Sequence, residues 1–308
     1  MSAPALDRAE EIEIGRRKRT RRKHITAYAF ITPAMSFLFV FLFVPLIASI
    51  FLSFTQYDLL NPPVWIGLEN YERLFNDELF WRGLGNSFTY LIVTPILIVL
   101  SIALAIVVNR KLRGVYLFRT IYYIPAVTSV VAVGMIFVFI FAEPSGRING
   151  FLLSTGLIQR PINFLTSPDS TLVSIMLVTI WRGIGFYMIV FLAALQGVPE
   201  ELYEAAAIDG ANRFQQHIYV TIPGIWPSIV FVAIISSISA LKVFEEIWVM
   251  TDGTGGLLDS ALTLMYYLYR QGFINLNLGY AASIAVVFSV ITLVFSIFNL
   301  RYLERRNG

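Results

Sequence analysis

Residues 200–223 read Glu200-Glu201-Leu202-Tyr203-Glu204-Ala205-Ala206-Ala207-Ile208-Asp209-Gly210-Ala211-Asn212-Arg213-Phe214-Gln215-Gln216-His217-Ile218-Tyr219-Val220-Thr221-Ile222-Pro223. They form a polar, partly helical island between two long apolar segments. Glu204-Ala205-Ala206 is followed by three residues, Gly210, nine residues, β-branched Val220, Thr221, aliphatic Ile222 and Pro223. Each part has a physical use. The small side chains of Ala205, Ala206, Ala207 and Ala211 let a short helix sit deep in a partner's groove. Gly210 permits a turn that a residue carrying a Cβ resists. Pro223 suits the first turn of a following helix, where no backbone donor is needed.

The flanks are apolar enough to be membrane spans. Of 308 residues, 57% are hydrophobic and 14% charged, too apolar for a soluble domain of this size. Segments of about twenty apolar residues recur, each long enough to cross a hydrocarbon core of about 30 Å. Six spans are predicted, at roughly 25–54, 86–108, 120–141, 171–195, 222–250 and 278–300. The first is too long for a secretory leader and lacks a small-residue cleavage site, so it is expected to remain as a membrane helix. Pro33, Pro45, Pro95 and Pro125 lie within spans and predict kinks supported by neighbouring helices. The expected organisation is a basic tail at 1–24 and an all-α transmembrane domain at 25–308, with its main loop at about 196–222.

Charge sets the orientation. The N-terminal tail carries eight Lys and Arg, seven of them in the run Arg16, Arg17, Lys18, Arg19, Arg21, Arg22, Lys23. With Arg110, Lys111, Arg113, Arg119, Arg213, Arg301, Arg305 and Arg306, sixteen basic residues fall on one side and five on the other. Both termini are therefore expected in the cytoplasm. The basic run abuts a span, which fits a topology determinant touching anionic lipid better than a nucleic-acid arm; no nucleic-acid partner is expected.

Several chemistries are excluded. There is no cysteine, hence no disulfide, thiolate nucleophile or Cys-based metal site. His24 and His217 are far apart and make no usual zinc site. No Gly-Lys dipeptide occurs, so the chain has no phosphate-cradling loop, and it lacks the Gly-x-Ser-x-Gly and His-Glu-x-x-His signatures. It is not expected to be an enzyme; any ATP hydrolysis, with its magnesium, belongs to another polypeptide. Chemistry is instead sought at ionisable groups inside spans, each costing about 2.5–3.5 kcal/mol on insertion scales. These are Arg182 in the fourth span, and Lys242, Glu245 and Glu246 in the fifth. Lys242 precedes the glutamates by three and four residues, a spacing that permits a pair on one helix face. The glycines of Thr251-Asp252-Gly253-Thr254-Gly255-Gly256 read as a flexible turn.

The island closely resembles the cytoplasmic coupling loop of permease subunits in bacterial binding-protein-dependent ABC importers. Trp65-Ile66-Gly67-Leu68-Glu69-Asn70-Tyr71, Phe118-Arg119-Thr120-Ile121-Tyr122-Tyr123-Ile124-Pro125 and Val243-Phe244-Glu245-Glu246-Ile247-Trp248-Val249-Met250-Thr251 resemble its carbohydrate branch, including maltose-, lactose- and glycerol-phosphate-type permeases. The resemblance implies a type I importer permease fold with six transmembrane helices in the bacterial inner membrane. It implies ATPase coupling through Glu204, Ala205, Ala206, Asp209, Gly210 and Pro223. It also implies a second, homologous permease, two cytoplasmic ABC ATPases, an extracytoplasmic solute-binding protein and a sugar or polyol carried by alternating access. By the match of Trp181-Arg182-Gly183, the maltose-type sugar contacts fall on Thr179, Arg182, Gly183 and Phe186, and on Ser236, Ala240 and Val243. Glu245 and Glu246 extend this expected substrate pathway. Ala240 and Val243 stand where the relatives have polar side chains, and Arg182 where they have an apolar one. An ion-coupled carrier using Glu245 or Glu246, a scaffolding membrane protein, and an importer of glycerol 3-phosphate are the competing readings.

Overall fold

The structure is a computed structural model that describes residues 23–24, 26–109 and 114–304. Most of the basic tail, Arg110, Lys111, Arg113, Arg305 and Arg306 lie outside the described residues. The chain is built on helices. In order they are α1 (Thr26–Leu52), α2 (Glu69–Phe75), α3 (Glu78–Val108), α4 (Val115–Val127), α5 (Val130–Phe141) and α6 (Arg147–Ser154). Then come α7 (Thr171–Gln196), α8 (Glu200–Ile208), α9 (Arg213–Gly224), α10 (Trp226–Leu241), α11 (Glu245–Met250), α12 (Leu264–Tyr269) and α13 (Leu278–Glu304). A short antiparallel hairpin pairs β1 (Thr55–Gln56) with β2 (Val64–Trp65), Thr55 opposite Trp65.

α1, α3, α7 and α13 are each long and apolar enough to cross a bilayer. Six crossings result if two bent pairs are counted as one each: α4 with α5, bent by 97°, and α9 with α10, bent by 69°. The sequence led us to expect continuous, kinked spans at 120–141 and 222–250; both are broken. After Pro125 the chain passes through extended Thr128 and Ser129, and α5 starts afresh. The fifth segment breaks twice, at Ile225 and again between Leu241 and Glu245. Pro223 does not open the following membrane helix; it lies in the last turn of α9, and Pro227 takes the N-terminal position of α10.

Two prolines share one local solution. Pro45 follows a π turn at Phe39–Phe43, and Pro223 follows another at His217–Thr221. In each, the residue just before the proline bonds five residues back, Val44 to Phe39 and Ile222 to His217. The wide turn relieves the clash of the ring with the preceding turn.

α3 begins eight residues before the expected span, and its extra turns hold the loop between α11 and α12. Asn86 donates to the carbonyls of Ser260 (3.0 Å) and Leu262 (2.8 Å), and Ser87 Oγ accepts the Leu264 amide at 2.9 Å. Gly253 bonds to Trp248 and Tyr266, and Thr251 Oγ1 accepts the Gly255 amide. The segment read as a flexible turn is therefore a bonded loop. Asn70 of the Trp65–Tyr71 motif donates 2.9 Å bonds to the carbonyls of both Ser53 and Thr55, fixing the C-terminal end of α1.

The core runs between α3 and α7, with Tyr90, Ile175, Met188 and Phe191 buried. Lipid is as apolar as leucine, so close backbone approach and hydrogen bonds hold such helices together. Gly185 is the clearest case: a Cβ there would lie 1.8 Å from the Tyr122 carbonyl oxygen, where α4 crosses α7. α1, by contrast, has no buried residue, and among the long helices it packs chiefly on α13.

Candidate functional site

The second break in the fifth segment makes the site. α10 ends at Leu241, Lys242 and Val243 leave the helix, and α11 starts at Glu245. This opens a cavity of about 410 Å³ against α7, within the usual range for small-molecule sites. Thr179, Arg182, Gly183, Phe186, Ser236, Ala240, Val243, Glu245 and Glu246, the positions singled out from sequence, all line it.

The break also changes the expected pairing. Lys242 and the glutamates do not share a helix face, because the helix stops between them. Glu246 is 8% exposed and instead meets Arg182 across the bundle, Nη2 to Oε1 at 3.0 Å. A guanidinium that would be costly in hydrocarbon thus has a counter-ion, and part of its fork still faces the cavity. Glu245 is exposed on the same wall.

Other groups are more committed. Thr179 Oγ1 bonds Tyr90 OH at 2.6 Å, and Ser236 Oγ donates to Val232 O at 2.6 Å, inside its own helix. Gly183 leaves room for Leu97, whose Cδ2 would lie 3.0 Å from a Cβ there. Phe244 closes one end, with ring centroids 4.6 Å from Tyr269 and 5.8 Å from Trp248. Charged donors and acceptors beside aromatic faces make a lining suited to a polyhydroxylated ligand.

Tyr90, Ser239 and Phe244 line the cavity although sequence reasoning did not select them. Phe244 lies within a quoted motif, and Tyr90 stands at the head of an aliphatic run that starts at Leu91; these were the available signals.

At the other end of α7, α8 stands away from the bundle with Glu204, Ala205, Asp209 and Gly210 exposed and Ala206 half-buried. Gly210 has φ +84° and closes the helix: its amide bonds Ala207 O at 3.1 Å, and the Ala211 amide bonds Ala206 O at 2.9 Å. α9 opens with a capping box in which Asn212 and Gln215 satisfy each other's backbone amides, a signal visible in Asn212-Arg213-Phe214-Gln215 but not used. Leu202, Ile208, Phe214 and Tyr219 are exposed around the acidic residues, forming a mixed apolar and acidic face.

A bundle with interrupted spans, a charged cavity at one interruption and a projecting helix beyond it defines a polytopic membrane transport component. More specifically, the chain belongs to the family of binding-protein-dependent transport system inner membrane components, whose profile matches residues 97–307. It is 37% identical over 276 residues to the lactose transport system permease protein LacF of Rhizobium radiobacter, covering 88% of this chain and 92% of that one. It is 35% identical to the arabinooligosaccharides transport system permease protein AraP of Halalkalibacterium halodurans, covering 94% and 93%. A chain of a bacterial alginate ABC transporter, crystallised with an alginate pentasaccharide-bound periplasmic protein, superposes with a TM-score of 0.81. That match has 27% identity and covers 94% of this chain and 98% of the other.

Proposed function

We propose that this chain is the membrane-spanning permease subunit of an ATP-driven ABC importer that carries a sugar or related polyol. The observation that carries the proposal is the convergence of the nine expected pathway positions on one cavity at a helix break. The names of the relatives, which transport lactose and arabinooligosaccharides, support the substrate class. In this reading Arg182, held by Glu246, presents free donors to ligand hydroxyls, and Phe244 and Phe186 supply apolar faces. α8 docks on a cytoplasmic ABC ATPase, where ATP and magnesium are used. A second permease, a second ATPase copy and an extracytoplasmic binding protein complete the assembly, and both termini lie in the cytoplasm. ATP-driven closure of the ATPases rocks the permeases between outward- and inward-open states. Commitment of Glu246 to Arg182 weighs against its use as the coupling carboxylate of an ion-driven carrier.

The test is uptake of radiolabelled lactose and arabinooligosaccharides by cells with and without this gene, with the ATPase gene deleted in parallel. Uptake lost in both deletions supports the reading. Uptake that survives loss of the ATPase overturns it.

A further inference from the structure

A docking helix does work only if something connects it to the spans. Between 197 and 224 just one residue is buried, Thr221, at 1% exposure. Its hydroxyl sits between two side chains: Tyr203 OH of α8 at 3.0 Å and His217 Nδ1 of α9 at 3.0 Å. A hydroxyl has one hydrogen, so Thr221 donates to one neighbour and accepts from the other, and the chain closes in either direction. His217 and Thr221 are also the two ends of the π turn, which leads through Pro223 into the 69° bend at Ile225.

Little else ties α8 down on this side. A cavity of about 410 Å³, lined by Asn109, Leu195, Gln196 and Val198 as well as Tyr203 and Thr221, separates α8 from the ends of α3 and α7. A packed interface would pass on a displacement through many apolar contacts. Here a polar chain borders the cavity, and its middle member is enclosed.

We propose that Tyr203–Thr221–His217 is the pin that carries displacement of α8 into the π turn and the broken fifth segment, with Thr221 as its positioning residue. This rests on the ATP-driven reading given above. A ligand shifts an equilibrium only by its differential affinity for the two states, and the pin is a side-chain link through which α8 reaches the fifth segment, beside its covalent connection to α7.

The absence of cysteine from the chain provides a reporter that needs no identified sugar. Val130→Cys places a single thiol in the cavity wall. In proteoliposomes holding the full assembly, its alkylation by a membrane-impermeant maleimide is measured without nucleotide and with ATP plus vanadate. Thr221→Val keeps shape but removes the hydroxyl. It is expected to retain ATP hydrolysis while the ATP-dependent change in alkylation shrinks about three- to tenfold, the equilibrium worth of the Tyr203–Thr221 hydrogen bond that joins α8 to α9. Tyr203→Phe should reproduce the loss, and Thr221→Ser should restore the change. An undiminished change in Thr221→Val overturns the pin and leaves the proposed function standing. Should Thr221→Val fail to assemble, Tyr203→Phe decides alone by the same criterion. A parent assembly whose alkylation ignores ATP overturns the ATP-driven reading and the pin with it, before any pin residue is changed.

Discussion

Arg182 and Glu246 illustrate what a single position reveals and what it hides. A charge inside an apolar run is visible in the sequence, and its cost in hydrocarbon implies a partner. The sequence offers two adjacent candidates in the spans, Glu245 and Glu246. Which of them turns inward depends on where the helix breaks, and neighbouring residues on either side of a break do not keep helical spacing. Removing one member of a buried pair costs about 3–5 kcal/mol, whereas removing both is far cheaper. Arg182→Ala is therefore expected to lower membrane abundance and the Tm in detergent, and Arg182→Ala with Glu246→Gln to recover most of both. Uptake separates the second role: if the guanidinium also meets the substrate, the double variant regains abundance but not transport. Wild-type abundance and uptake in Arg182→Ala would leave the pair without either task.

At the scale of elements, the six apolar segments, the projecting loop and the all-α class were legible, because hydropathy and the Glu204–Pro223 spacing are local properties. The breaks were not. Pro125 signalled a kink, but a 97° bend depends on Gly185 letting α4 cross α7 at close range, a contact between distant residues. Gly210 was read correctly as a turn, and its φ of +84° makes a sharp prediction. Proline fixes φ near −65° and removes the amide that bonds Ala207 O, a local cost of about 3 kcal/mol or more. Gly210→Pro should leave insertion and yield unchanged while sugar-stimulated ATP hydrolysis by the reconstituted complex disappears; normal stimulation would count against a docking role for α8. The cluster of Asp77, Tyr267 and Tyr280 offers another test. Burial raises the Asp77 carboxyl, but hydrogen bonds from Tyr267 and Tyr280 outweigh it and hold the group below its ordinary value of 3.8. A depressed carboxylate stabilises the fold fully above that ordinary value, and its contribution fades as pH falls through the lower, folded-state value. Asp77→Asn should cost about 1–3 kcal/mol at neutral pH, lowering the Tm, with the deficit narrowing in acid. An equal deficit at every pH would show that the charge is not what matters.

For the molecule as a whole, a cysteine-free chain lets orientation be measured directly. A single cysteine at Ile208 should react with impermeant maleimide only in inverted vesicles, and one at Leu60 only in right-side-out cells; the opposite pattern would reverse the proposed topology. Both side chains are well exposed, so access is not limited by the fold. The same view of the whole gives α1 an unusual standing. The clamp of Asn70 holds its C-terminal end, and α13 is its chief long neighbour, yet none of its residues is buried. A helix so placed is open to lipid or to another subunit. In the assembly proposed above this becomes a matter of stoichiometry: a subunit synthesised without a companion permease would present an unclaimed helix to membrane quality control. Its half-life in a pulse-chase should lengthen when the companion is co-expressed, and equal lifetimes would show that lipid alone suffices. Degradation of the unmatched chain, more than any regulation of its gene, would then keep the two permeases in equal number.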